Sequence, residues 1–170
     1  MIVDDNYLSA EGIEKNIDWE TLNAEIIHVC YNGTSAIEAM KKEPADLIIS
    51  DIEMPDLDGI SMSRQALEIN PMVKIILISA YDKFEYARRA LLLGALDYIE
   101  KPLDYAYLIQ KVKNAFALME KEQKNLQLLK QSRPLLTEKF FREITHLPSS
   151  EAAYRLKPYL KYLNLELNYD

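Results

Sequence analysis

A chain of 170 residues, 49% hydrophobic and 28% charged, has enough apolar material for one well-formed core and an appendage. Its apolar runs are far too short to cross a membrane, and it opens without the basic-then-apolar pattern of a secretory leader. A single cysteine excludes a disulfide framework and suits a reducing cytoplasm, and the net charge of −7 argues against this segment binding nucleic acid by itself.

In chain order, Ile2-Val3 closes a first strand that runs into Asp4-Asp5. Only three residues precede Asp4, where a strand usually has about five, so the natural protein is expected to begin before Met1. Tyr7 to Asn16 predicts a first helix and Ala24 to Cys30 a second strand. The Asn32-Gly33-Thr34 turn starts a helix over Thr34 to Lys42. Leu47 to Asp51 is a third strand, and Ile60 to Ile69 a helix ended by Asn70-Pro71. Val73 to Ser79 is a fourth strand, followed by a helix from Phe84 to Leu93 that Gly94 caps in the left-handed conformation. Asp97 to Glu100 is a short fifth strand, and a helix opens near Asp104. About 25 residues per βα unit is the rhythm of a doubly wound α/β sheet.

The last third changes character. Between Lys111 and Ser132 there is neither Gly nor Pro, so the fifth helix is expected to continue beyond the globular domain. Val112, Ala115, Met119, Leu126 and Leu129 fall on a seven-residue register that Glu122 interrupts, which raises a parallel dimer seam as a possibility beside ordinary packing. Arg133-Pro134 is expected to end that helix, with two further helices over Leu135 to Leu147 and Ser150 to Leu163. The domain boundaries that follow are 1–118 for the α/β domain and 119–170 for the extended helix and helical connector.

Four strands end in chemistry. Ile2-Val3 meets Asp4-Asp5, Leu47-Ile48-Ile49-Ser50 meets Asp51, Ile75-Ile76-Leu77-Ile78 meets Ser79, and Tyr98-Ile99-Glu100 meets Lys101-Pro102. Unbroken apolar runs are strands buried on both faces, hence parallel. An open α/β sheet binds ligands just beyond the carboxyl ends of its strands, so these groups are expected to converge on one crevice. Adjacent carboxylates repel each other by on the order of a few kcal/mol, and a hard divalent cation with oxygen ligands, Mg²⁺, removes that cost. Asp51 can attack phosphorus as a carboxylate nucleophile, Lys101 can neutralise the transferring group, and the Ser79 hydroxyl can donate to a phosphoryl oxygen. Trp19, His28 and His146 carry only packing or surface roles in this reading.

The stretches Ile2-Val3-Asp4-Asp5-Asn6, Ile49-Ser50-Asp51-Ile52-Glu53-Met54-Pro55-Asp56-Leu57-Asp58-Gly59, Ile78-Ser79-Ala80-Tyr81 and Gly94-Ala95-Leu96-Asp97-Tyr98-Ile99-Glu100-Lys101-Pro102 resemble the receiver domain of bacterial two-component response regulators. The resemblance implies a flavodoxin-like sheet of order 2-1-3-4-5 and a phosphoryl group passed from a sensor histidine kinase to Asp51. It implies Mg²⁺ held by Asp4, Asp5, Asp51 and the backbone carbonyl of Glu53, phosphoryl contact by Lys101, and a cis Lys101-Pro102 peptide. Ser79 and Tyr98 match the hydroxyl and aromatic of the switch that moves the face of the fourth helix, fifth strand and fifth helix. Such a chain is a self-phosphorylating and self-dephosphorylating switch and not a classical enzyme, with possible homodimers through that face or through the extended helix.

Ile17-Asp18-Trp19-Glu20 and Tyr81-Asp82-Lys83-Phe84-Glu85-Tyr86-Ala87 are similar to receivers of regulators carrying an AraC-type helix-turn-helix domain. DNA would then be reached only through a domain beyond Asp170. An aspartate-nucleophile phosphatase is the enzymatic alternative. Its usual second Asp, two residues after the nucleophile, is Glu53 here, and no substrate cap follows. An unphosphorylated interaction scaffold is the third reading, against which all the acidic positions and Lys101 are intact.

Overall fold

The computed structural model describes residues 1–80 and 84–144. Tyr81 to Lys83, the helix expected over Ser150 to Leu163, the end of the one expected over Leu135 to Leu147, and His146 lie outside the described residues. In chain order the elements are β1 (Ile2–Val3), α1 (Tyr7–Asn16), β2 (Val29–Cys30), α2 (Gly33–Lys42), β3 (Leu47–Asp51), α3 (Gly59–Ile69), β4 (Lys74–Ser79), α4 (Phe84–Leu93), β5 (Asp97–Glu100) and α5 (Tyr105–Ile144). The five strands form one parallel sheet of order β2-β1-β3-β4-β5, the flavodoxin-like arrangement that the resemblance implies.

Alternation along the strands divides the core in two. Val3, Ile48, Ile75 and Leu77 point to one face, where Ala36, Ile37 and Met40 of α2, Ile60, Met62 and Ala66 of α3, and Ala90 of α4 cover them. Ile2, Ile49, Ile76, Ile78 and Ile99 point to the other, under Ala10 and Ile13 of α1 and Leu108, Val112 and Ala115 of α5. Both faces are covered, so the strands show no polar alternation, and their polar residues collect at the carboxyl ends.

Side chains fix the helix starts. Asn6 accepts from the Leu8 and Ser9 amides, Asn32 from Ser35, Asp58 from Ile60 and Ser61, and Asp104 from Ala106 and Tyr107. Asp58 also accepts from the Ser61 hydroxyl at 2.9 Å. Asp58→Ala should therefore cost about 1–2 kcal/mol, the range for a well-bonded N-cap; a urea midpoint equal to the parent's would show that the cap carries no stability. At the end of α4, Gly94 has φ +83° and the Ala95 amide donates to the Ala90 carbonyl, closing the helix as expected.

Three expectations are corrected. The second strand is paired only over Val29–Cys30, not from Ala24, because its neighbour β1 offers only Ile2–Val3 to pair with. Upstream, Ile26 and Ile27 still pack on opposite faces of the sheet. The fifth helix does not stop at Arg133-Pro134 but continues to Ile144. An interior proline removes one hydrogen-bond rung at a cost of about 3 kcal/mol. Flanking Leu, Lys, Gln and Glu residues, all strong helix formers, favour continuation. Finally, Val112 and Ala115 are fully buried against the sheet, so the heptad seam loses its first two members. The chain divides into two units, Met1–Ala117 and Leu118–Asp170. Among the described residues no helix is long and apolar enough to cross a membrane.

Candidate functional site

At the carboxyl end of the sheet the loops after β1, β3 and β5 meet. Lys101 follows β5, and its ammonium donates to Asp51 Oδ2 at 2.7 Å and to Asp4 Oδ2 at 3.0 Å. Residues 97 and 50 positions apart in the chain are thus joined by one cation. Asp4 is 1% exposed and Asp51 6%, whereas Asp5 lies open to solvent. One oxygen from each of Asp4, Asp5 and Asp51 lies within 4.8 Å of the others.

Register explains the convergence. β1 and β5 flank the central pair β3–β4, and the β3–β4 ladder puts Asp51 opposite Ile78. Ser79, fully buried, is one residue further along β4, opposite Glu100, and its carbonyl accepts from the Lys101 amide at 2.8 Å. Tyr98 stands opposite Leu77, half-buried against the core that α4 covers. The Lys101-Pro102 peptide is cis, as the resemblance implies.

Burial and charge compete in this crevice. Burial pushes the Asp4 carboxyl above its ordinary range, and the hydrogen bonds from Lys101 and the Asn6 amide offset only part of that. Burial would lower Lys101, but the bonds and charges of Asp51 and Asp4 outweigh it and hold the ammonium above the usual lysine range. Among the described residues, three carboxylates thus gather at one ammonium that bonds two of them.

The donor set fits a hard cation. Two oxygens on one Mg²⁺ lie at most about 4.2 Å apart, given bonds of about 2.1 Å. A trio within 4.8 Å reaches that spacing with small side-chain motions or through water.

Several contacts of the site were not legible in advance. The Asn6 amide donates to Asp4 Oδ1 at 2.9 Å while its side chain caps α1, so one residue both aims a carboxylate and starts a helix. The Glu53 amide points to Asp51 Oδ1 at 3.4 Å, and the Glu53 carboxylate accepts from the Tyr86 hydroxyl at 3.0 Å. The signal for Tyr86 is its spacing with Ala90 and Leu93, which puts it on the inner face of α4. Trp19 packs partly on the core and donates to the Glu14 carbonyl, and His28 bonds the Glu43 carbonyl, so both keep the structural roles expected of them.

The family model described as the response regulator receiver domain matches residues 1–113. The receiver domain of AraT, a response regulator from Geobacillus stearothermophilus, is 34% identical and superposes with a TM-score of 0.68, covering 72% of this chain and 95% of that one. A two component transcriptional regulator AraC from Clostridium phytofermentans is 31% identical with a TM-score of 0.65, covering 73% and 95%. The uncharacterized transcriptional regulatory protein YesN of Bacillus subtilis is 28% identical over 122 residues, 72% of this chain and 33% of that protein. The transcriptional regulatory protein HptR of Staphylococcus aureus is 30% identical over 108 residues, 64% of this chain and 42% of that protein. The chain therefore spans between a third and about two fifths of the length of these curated relatives. On its motif-bearing strand ends, its sheet order and the match over residues 1–113, the chain belongs to the response regulator receiver domain family.

Proposed function

We propose that this chain is the regulatory module of a cytoplasmic transcriptional regulator, switched when Asp51 accepts a phosphoryl group from a sensor histidine kinase. The observation that carries this reading is the double bond of Lys101 to Asp51 and Asp4 beside the exposed Asp5. A carboxylate oxygen of Asp51 attacks phosphorus, the bond from phosphorus to the donor imidazole nitrogen breaks, and the imidazole leaves with the electron pair and is protonated by solvent. Lys101 follows the negative charge from the Asp51 carboxylate to the phosphoryl oxygens, and Ser79 donates to one of them. Tyr98 then takes the space beside Ser79, which moves the surface shared by α4, β5 and α5. Mg²⁺, held by Asp4, Asp5, Asp51 and the Glu53 carbonyl, would supply the remaining neutralisation of the phosphoryl oxygens.

A structure of CheY from Borrelia burgdorferi in complex with CheX, beryllium fluoride and magnesium is 30% identical to this chain, with a TM-score of 0.62. It lends this chemistry support by analogy. The surface proposed to move carries the Lys111–Asp97 ion pair at 2.6 Å and the exposed Leu91 and Leu92. It is also the surface proposed for a homodimer, since the helical seam has lost Val112 and Ala115 to the core. Similarity to the two component transcriptional regulator AraC of Clostridium phytofermentans supports an AraC-type DNA-binding element as the output of this module.

Incubation with acetyl phosphate and Mg²⁺ should add one phosphoryl group to the parent and none to Asp51→Asn. Equal mass gain in the two proteins, or no gain in the parent with either acetyl phosphate or beryllium fluoride, overturns the reading.

Mg²⁺ affinity should depend on pH in one direction. A ligand carboxylate must lose its proton, and Asp4 holds its proton more tightly than an ordinary carboxyl. Affinity should therefore fall on acidification, and the fall should begin above the ordinary carboxylate range of about 4. Calorimetric titration in buffers of different ionisation heat reads both the affinity and the proton released. A fall confined to the ordinary carboxylate range would remove Asp4 from the ligand set.

A further inference from the structure

A side-chain bond between the loop after Asp51 and α4 has a geometry that reaches the phosphoacceptor. Tyr86 lies on the inner face of α4, its ring packed on the core beside Ala90 and Leu93. Its hydroxyl donates to Glu53 Oε1 at 3.0 Å. Glu53 in turn sends its backbone amide toward Asp51 Oδ1, and its carbonyl belongs to the ligand set proposed above. Between this loop and α4 lies a cleft of about 470 Å³, lined by Asp5, Glu53, Met54, Asp58, Tyr86 and Arg89 among others. Glu53 is thus a further carboxylate at the rim of a site that already holds three.

A fourth carboxylate beside the acidic cluster is repelled from it, an effect that Arg89 in the same cleft offsets in part, and the repulsion would turn the Glu53 side chain and its peptide outward. A phenol donating to a carboxylate makes a charge-assisted bond, stronger than a neutral one. With the ring fixed in the core, the hydroxyl holds Glu53 at a set place. We infer that Tyr86 is a positioning residue for the cation and phosphoryl site: it fixes Glu53 so that the main chain of residue 53 serves Asp51 and the cation, and thereby couples α4 to the occupancy of the site. This rests on the proposed function, and it adds a link to α4 that does not pass through Ser79 or Tyr98. Coupling is reciprocal, so whatever moves α4 must also change how tightly the site holds its cation.

The test is Mg²⁺ binding to the full chain by calorimetry, for the parent, Tyr86→Phe, Glu53→Ala and the double variant. Outer residues that orient ligands are worth about 10–100-fold in metal affinity. Acting through one backbone, the Tyr86 hydroxyl should sit at the low end, so Tyr86→Phe should bind Mg²⁺ about tenfold more weakly. In the Glu53→Ala background the same change should have no further effect, because the hydroxyl then has no carboxylate to hold. Urea midpoints of all four proteins separate this from lost stability: a midpoint shift with unaltered Mg²⁺ affinity overturns the inference. So does equal weakening by Tyr86→Phe with and without Glu53. A parent that binds no Mg²⁺ brings down the proposed function and this inference together, whereas a parent that binds and a Tyr86→Phe that binds equally well overturns the inference alone.

Discussion

Replacing Lys101 by alanine is expected to lower stability by about 2–3 kcal/mol without metal and to slow phosphorylation from a small donor about 100-fold or more. The stability loss follows from what remains. Asp4 and Asp51, 1% and 6% exposed, would face each other with no ammonium between them. Removing one partner of a buried pair typically costs about 3–5 kcal/mol because the other charge is stranded. The 24% exposure of the Lys101 side chain places this site at or below the low end.

The sign with pH and metal makes the argument specific. Lys101 is held above the usual lysine range, so its contribution is fully present below about pH 10.4 and is lost as pH rises through its own higher value. At neutral pH the variant therefore lacks all of it. Asp4 is already raised by burial and loses the Lys101 bond that restrained it, so it takes up a proton more readily in the folded variant. A folded-state carboxyl raised in this way costs stability above its pKa, and the cost fades as pH falls through it. The deficit of Lys101→Ala should shrink on acidification. It should also shrink with Mg²⁺, because the stranded carboxylates of the variant bind the cation more tightly than the parent's paired ones, and that difference in affinity is returned as stability. Urea midpoints in EDTA and in Mg²⁺, each at neutral and mildly acidic pH, decide the matter. A deficit that neither treatment reduces would mean that Lys101 serves packing and not charge.

The strand ends were legible for a physical reason. A strand buried on both faces must be apolar throughout, so the first polar residue after Ile49-Ser50 or Ile78 marks where the chain leaves the core. In a parallel sheet all such exits lie on one edge, and Asp4, Asp51 and Lys101 meet there. What escaped was whatever depends on a partner. The length of β2 is set by β1 and not by the apolar content of Ala24 to Cys30. Val112 and Ala115 satisfy a coiled-coil register and a core-facing stripe equally well over two turns, and the sheet claims them. The Tyr86 bond to Glu53 joins residues 33 apart through a hydroxyl, and no periodicity encodes a polar contact of that kind.

Gly59→Ala should be the most damaging single-methyl change in the domain, with an expected cost of about 3 kcal/mol or more. Gly59 is the first residue of α3, and its amide donates to the Ile52 carbonyl at 2.8 Å. A Cβ there would lie 2.0 Å from the Asp51 carbonyl oxygen, 2.9 Å from the Asp51 carbonyl carbon and 3.0 Å from the Ile52 Cα. All three are backbone atoms at the end of β3, so no rotamer change relieves the clash. Helix propensity alone would favour alanine by about 0.5–1 kcal/mol, and the clash decides the sign. Because the atom displaced is the main chain of Asp51 itself, uptake of beryllium fluoride or phosphoryl should fall with stability. Gly94→Ala is the control. Gly94 has φ +83° with nothing within 4 Å of a built Cβ, so its cost is conformational only, about 1–2 kcal/mol, with the site untouched. If the two variants lost equal stability, or if Gly59→Ala took up beryllium fluoride like the parent, the close approach of α3 to the Asp51 backbone would not be what holds the acceptor in place.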